Sequence, residues 1–165
     1  MKRKKVFLMC GVPASGKSTF VQQNMNPATD VWCSRDLVRF SMISEDEEYF
    51  AREPEVFARE PEVFATWIKN INDALALDSV ENIFVDATHL NKASRLKTLG
   101  RLNLENADVV PVVVLTSLQT CFLRNKKREG RARMPSSVIR RMYSSFVHPT
   151  LEEFPYKNII TVGKE

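Results

Sequence analysis

Four short stretches of this 165-residue chain gather residue types that could handle a phosphoryl group. The first, GVPASGKST at 11–19, fits G-x-x-x-x-G-K-[ST] and stands between a short apolar run and an amphipathic segment at 19–25. Glycines in that pattern let backbone N–H groups turn inward around a phosphate, and the helix N-terminus that follows adds positive potential. Lys17 would reach the transferred end, and Ser18 would offer its hydroxyl to magnesium. Gly11, Pro13, Ser15, Gly16, Lys17, Ser18 and Thr19 are therefore the nucleotide-binding candidates. A glycine turn that binds nothing is disfavoured, because pattern and context agree. ATP is favoured over GTP: the only near match to the N-K-x-D guanine motif, NKKR at 125–128, lacks the acid.

The second stretch, CSRDLVR at 33–39, places an acid and two arginines just after an apolar run. There Asp36 would open a helix beside the phosphate loop, where a carboxylate can accept the proton of an acceptor hydroxyl. The alternative, at even weight, is that Asp36 and Ser34 only cap the helix. Arg39 lies three residues on, hence on the same helix face, and its fork of donors suits an acceptor phosphate about one sugar from the attacked hydroxyl. Otherwise it is a solvated residue or pairs with an acid at 45–48. In the third stretch, VDATHLN at 85–91, Asp86 suits magnesium held through water, while Thr88, His89 and Asn91 are polar groups available to an acceptor. Capping and turn formation explain each of these alone. The fourth, RNKKREGRARMP at 124–135, is a basic helix broken at Gly130 and restarted by Pro135. It reads as a lid at about 121–147, with arginines that close over the β- and γ-phosphates and stabilise transition-state charge. Lys126, Lys127 and Arg133 are read as solvated surface.

These stretches need a scaffold that brings them to one edge. Apolar, β-branched runs recur at 5–10, 30–33, 82–86, 109–115 and 158–162, with helical patterns between them. Strands alternating with helices predict an α/β fold: a parallel sheet of four to five strands with helices on both faces, its ligands at the C-terminal strand ends.

Length and an apolar content of 44% fit one domain over 1–165. The net charge of +4 is too small to demonstrate nucleic-acid binding, but its distribution is uneven. Residues 121–150 hold eight Lys or Arg against Glu129 alone, and 45–62 hold eight acids against Arg52 and Arg59. Cys10, Cys33 and Cys121 have no metal or disulfide spacing, so a reducing cytoplasm is expected. The start imitates a secretory signal, but its apolar run is too short, and no other stretch is long enough to span a membrane. AREPEVF occurs twice in tandem at 51–64. The expected helix starts near Pro61 in the second copy, and the first copy reads as a duplicated insertion with no chemistry of its own. An acidic partner-docking hairpin anchored by Phe50, Val56 and Phe57 is the less favoured alternative.

Together the four stretches resemble the 5′-kinase domain of phage polynucleotide kinases, within the P-loop kinase superfamily. That family has a G-x-P-x-S-G-K-S-T loop, an Asn-Arg-Asp-Asp-x-x-Arg-like segment, a Thr-Asn-Leu-Asn segment and a basic lid. Here they correspond to 11–19, Ser34-Arg35-Asp36-Leu37-Val38-Arg39, Thr88-His89-Leu90-Asn91 and the RNKKREG segment with the PSSVIRRMY that follows. The resemblance implies an ATP- and magnesium-dependent kinase acting on 5′-hydroxyl ends of DNA or RNA in nucleic-acid repair, in a host cytoplasm if phage-encoded. It makes Asp36 the general base, Lys17 and Ser18 the nucleotide and metal residues, and Arg39 the contact to the acceptor phosphate, beside Thr88 and Asn91. Arg124, Arg128 and Arg131 become lid residues, with Ser18 and Asp86 serving the metal. Ser34 and Leu37 depart from the family segment, and the lid is one residue longer, which leaves the finger open between Arg128 and Arg131. No D-x-D-G-T phosphatase motif is present, so a stand-alone kinase is expected. The rivals are a P-loop kinase of a small metabolite (nucleoside, sugar or antibiotic) and a nucleotide-binding protein without transfer activity.

Overall fold

A computed structural model describes residues 2–43 and 59–163, the Arg131 side chain excepted. The first AREPEVF copy, its anchors and the acids at 45–48 lie outside the described residues. The elements run β1 (Lys4–Cys10), α1 (Lys17–Asn24), β2 (Asp30–Ser34), α2 (Arg35–Met42), α3 (Glu60–Leu75), β3 (Asn82–Asp86), α4 (Lys92–Leu99), β4 (Ala107–Leu115), α5 (Leu118–Lys126), one turn of 3₁₀ helix (Gly130–Ala132), α6 (Ser136–Ser145) and β5 (Ile160–Gly163). The five strands form one all-parallel sheet in the order β2-β3-β1-β4-β5, the α/β architecture expected from the alternation.

Strands buried on both faces read as continuous apolar runs, and β4 with ADVVPVVVL is the extreme case. Successive side chains still go to opposite faces. Val6, Leu8, Cys10, Ile83 and Val85 pack with Trp67 and Ile71 of α3 and Leu99 of α4. Met9, Phe84, Val112 and Val114 pack with Val21 of α1 on the other side. Trp67, Ile71 and Val21 are fully buried; each such side chain contributes about 1.5–3 kcal/mol.

The helix ends explain where the chain turns. Ser34 accepts from the Leu37 amide and starts α2, and Asn91 and Ser94 form a reciprocal capping box on α4. Pro61 sits in the first turn of α3, as its fixed φ favours. In the basic segment, Gly130 turns with φ 59° and Pro135 precedes α6. Asn125 clasps that turn, donating to the Met134 carbonyl at 2.7 Å and accepting from its amide at 2.9 Å. No helix among the described residues is long and apolar enough to cross a membrane.

Candidate active site

Parallel register delivers the four stretches to one edge. Met9 of β1 pairs with Asp86 of β3, and Asp86 with Ser34 of β2, so the three strands finish side by side. The loops that follow enclose a cavity of about 530 Å³. Pro13, Gly16, Lys17, Ser18, Thr19, Asp36, Arg39, Asp86, Thr88, Arg124 and Arg128 all border it.

The loop after β1 needs its glycines for space and for turn. A Cβ on Gly11 would come within 2.8 Å of Ser15 Oγ and 2.9 Å of the Val114 carbonyl oxygen, and Gly16 takes φ 109° to open α1. Ala14 also holds a left-handed φ of 64°, an unfavourable conformation of the kind retained at ligand sites. No side chain caps α1, and its first residues Lys17, Ser18 and Thr19 border the cavity. Ser15 Oγ is buried with no hydrogen-bond partner, as befits a loop built to meet an external group. Lys17 donates from Nζ to the carbonyls of Gly11 (2.9 Å) and Val12 (3.0 Å). Burial pulls its ammonium below the usual lysine range, while the Asp86 carboxylate and then Asp36 pull the other way.

Asp86 is 8% exposed and accepts from Trp32 Nε1 at 3.0 Å. Burial raises its carboxyl above the ordinary range, against Lys17 and the Trp32 hydrogen bond. Ser18 and Asp86 border the same cavity. No group of three or more His, Cys, Asp or Glu that could hold a metal occurs among the described residues. Two protein oxygens, one on a carboxylate whose charge burial disfavours, fit magnesium, which keeps most of its waters and leans on substrate phosphates.

On the acceptor side the helix cap is provided by Ser34, at 3.2 Å from the Leu37 amide. The Asp36 carboxylate instead pairs with Arg39 Nη1 and is 71% exposed. Arg39 is 14% exposed and is held from behind by Glu60: Nε donates to Oε1 at 2.7 Å and Nη2 to Oε2 at 3.2 Å. Arg35 Nη2 reaches the same Oε2 at 3.3 Å, with its guanidinium over the rings of Phe64 and Trp67. Neither this role of Glu60 nor that of Trp32 is among the expectations drawn from the sequence. The available signal was two arginines at i and i+4 on one face of a short helix whose own single acid is Asp36, which leaves a cation to be met by a carboxylate from another element.

Three expected acceptor groups separate. Thr88 borders the cavity, and its carbonyl accepts from the Gly11 amide at 2.9 Å. His89 is not available to an acceptor: it is 3% exposed, with Nδ1 donating to the Met9 carbonyl at 2.7 Å and Nε2 at 3.0 Å from Thr98 Oγ1. Burial lowers its imidazole to about 4. Asn91 spends its side-chain oxygen on the Ser94 amide at 2.8 Å and does not border the cavity, so its capping role is the one seen. In the basic segment Arg124 Nη1 donates to the Ser15 carbonyl at 3.0 Å, bracing the phosphate loop, and Arg128 borders the cavity. The Arg131 side chain lies outside the described residues. Cys10 and Cys33 are buried free thiols pushed up to about 12 by burial, so neither is a nucleophile.

The AAA domain family matches residues 6–149. No curated protein matches the chain by sequence. Among solved structures, the Pnkp1/Rnl/Hen1 RNA repair complex superposes with a TM-score of 0.67 at 21% identity, covering 88% of this chain and 44% of that one. The chain thus spans less than half the length of that protein. A fungal RNA kinase gives a TM-score of 0.67 at 11% identity, covering 100% and 76% of the two chains. A gluconokinase from Sinorhizobium meliloti 1021 gives 0.58 at 18% identity, covering 98% and 83%. At these identities the likeness is one of fold.

Proposed function

The chain belongs to the AAA domain family, a P-loop kinase family, and we propose that it is an ATP-dependent polynucleotide 5′-hydroxyl kinase acting on DNA or RNA ends. Family and fold point to a nucleotide-binding phosphotransferase. The single observation that carries the finer reading is Asp36. It shares a cavity with Lys17 and Asp86, yet its carboxylate is 71% exposed, with Leu37 beside it 58% exposed. A small acceptor is best enclosed on all sides, whereas a base at an open rim suits an acceptor that offers one hydroxyl and keeps its bulk outside. The gluconokinase fold neighbour favours the second reading, a kinase of a small metabolite.

In the proposed reaction Asp36 takes the proton of the acceptor 5′-hydroxyl as its oxygen bonds the γ-phosphorus, and the bond to the ADP oxygen breaks in line. The phosphate loop amides and Lys17 hold the phosphates, with Lys17 leaving the Gly11 and Val12 carbonyls to do so. Arg124, which donates to the Ser15 carbonyl of the loop, and Arg128, at the cavity edge, would add positive charge where it develops, and Arg131 is proposed with them as a lid arginine. Ser18 and Asp86 would hold magnesium, which supplies neutralisation of the phosphate oxygens when bound. Thr88 is assigned to the acceptor.

Transfer of radiolabel from ATP should reach 5′-hydroxyl oligonucleotides in preference to nucleosides and sugars. Asp36→Asn should lower that transfer by about 10²–10⁴-fold with ATP affinity kept, since the shape survives and the base is lost. Transfer to sugars alone would move the assignment to the metabolite kinase, and full turnover by Asp36→Asn would remove Asp36 as the base.

A further inference from the structure

We infer that Glu60 is a positioning residue for phosphoryl transfer: it fixes the Arg39 guanidinium, whose remaining nitrogen aims the Asp36 carboxylate. The inference rests on the reading of Asp36 as the general base. A guanidinium is a rigid planar fork. Once Nε and Nη2 lie on the two oxygens of Glu60, at 2.7 and 3.2 Å, the direction of Nη1 is set, and Nη1 is the nitrogen that meets Asp36. An exposed acid three residues from an arginine is held only weakly by an isolated pair. Here the arginine is already immobile at 14% exposure, so Asp36 is ordered at the expense of its own rotamers alone.

Order in Glu60 traces back to the core. Arg35 Nη2 donates to its Oε2 at 3.3 Å and lies 5.8 Å from the ring centre of Trp67. Trp67 is fully buried and donates from Nε1 to the Cys33 carbonyl at 2.9 Å, on the strand that leads into α2. Arg59 donates to the Met42 carbonyl, tying the start of α3 to the end of α2. The second AREPEVF copy thereby contributes a residue to the acceptor site. With Nε, Nη1 and Nη2 each meeting a carboxylate, Arg39 in this proposal acts through Asp36, where the sequence led to an expected contact with an acceptor phosphate.

The test is a double-mutant cycle of Glu60→Gln and Asp36→Asn under single turnover, on a nucleoside 3′-monophosphate and a plain 5′-hydroxyl nucleoside. Glu60→Gln should lower the transfer rate about 10–30-fold, equally on both acceptors, with KM for ATP unchanged, and should have no further effect in the Asp36→Asn background. An ordinary rate in Glu60→Gln, or the same fold loss in both backgrounds, would overturn the inference. So would a loss confined to the 3′-phosphorylated acceptor, which would return Arg39 to phosphate contact. Should Glu60→Gln not fold, Arg39→Lys keeps the charge without the fork and must show the same loss within the cycle. Full activity of Asp36→Asn alone marks failure of the base reading, whereas an inactive Asp36→Asn beside a normal Glu60→Gln marks failure of this inference only.

Discussion

Two guanidinium–carboxylate forks in this chain have nearly the same lengths. Arg95 donates to Glu153 from Nε at 2.8 Å and from Nη2 at 3.2 Å, against 2.7 and 3.2 Å for Arg39 on Glu60. They differ in burial and in what the third nitrogen does. Arg95 and Glu153 are 0% and 4% exposed, and Arg95 Nη1 donates to two backbone carbonyls, His89 at 2.9 Å and Val147 at 2.8 Å. Tyr156 donates to Glu153 Oε1 at 3.1 Å. That fork fastens the loop after β3 to the segment after α6. The Glu60 fork stands at the rim, 22% and 14% exposed, with its third nitrogen on a solvent-facing carboxylate at the mouth of the cavity. One device, a planar cation locked on two oxygens, staples backbone in the interior and aims a side chain at the edge.

Removing one partner from the interior fork should have the largest effect on stability. Glu153→Gln leaves a buried guanidinium without its countercharge, a loss of about 3–5 kcal/mol. Urea unfolding should show it as a lower midpoint with an unchanged slope. The folded fraction should keep its transfer rate, because neither Arg95 nor Glu153 borders the cavity. A loss under 1 kcal/mol would mean that the backbone bonds of Arg95, not the ion pair, hold the segment.

His89 sharpens the contrast because it sits between the forks. Its carbonyl accepts from Arg95, and its ring lies 5.9 Å from that of Trp67, on which Arg35 rests. Burial lowers the imidazole to about 4, and Arg35, Arg95 and Lys17 add to this against the Met9 hydrogen bond. Its folded value lies below the unfolded 6.5, so the unfolded chain binds the proton first. The stability His89 contributes is therefore full above pH 6.5 and is lost as pH falls towards 4. Going from pH 8 to pH 5 should cost about 2 kcal/mol on this account. Asp86, raised by burial, opposes the trend by favouring the folded state at low pH. The measurement is thus the difference between the parent and His89→Gln: the variant should be less stable at pH 8, with the gap narrowing by pH 5. A gap independent of pH would show that His89 is not held neutral by its surroundings.

The residues legible in the sequence are those whose role is local. All five strands stand within two residues of the apolar runs: β1, β3 and β4 lie inside the sheet and are largely apolar, and the edge strands β2 and β5 keep short β-branched or aromatic runs. The phosphate loop declares itself in nine consecutive letters, and Ser34 as a cap needs only its neighbour three residues on. Glu60 and Glu153 were illegible for the opposite reason: each meets its arginine across the fold, from a different element. Arg95 did leave a trace, a charge on the same face of α4 as the buried Thr98 and Leu99, at i, i+3 and i+4. His89 left none, since its burial follows from a left-handed turn at φ 44° that no letter of THLN requires.

The smallest effect is expected from removing a copy of the repeat. Because 51–57 and 58–64 are identical, deleting either yields the same chain, and in it one AREPEVF still leads into the helix that carries Val63, Phe64 and Trp67. The glutamate in third place of that copy is Glu60, so the rim fork keeps its carboxylate. On chain length alone, a connection between α2 and α3 that is shorter by seven residues changes the closure entropy by only about half a kcal/mol. The deletion protein should therefore unfold within about 1 kcal/mol of the parent and transfer phosphate within about threefold of its rate. Adding Glu60→Gln to the deletion should then cost what it costs the parent. A deletion that folds yet loses transfer would show that the extra copy meets the acceptor, and one that fails to fold would show that α3 depends on the residues before it.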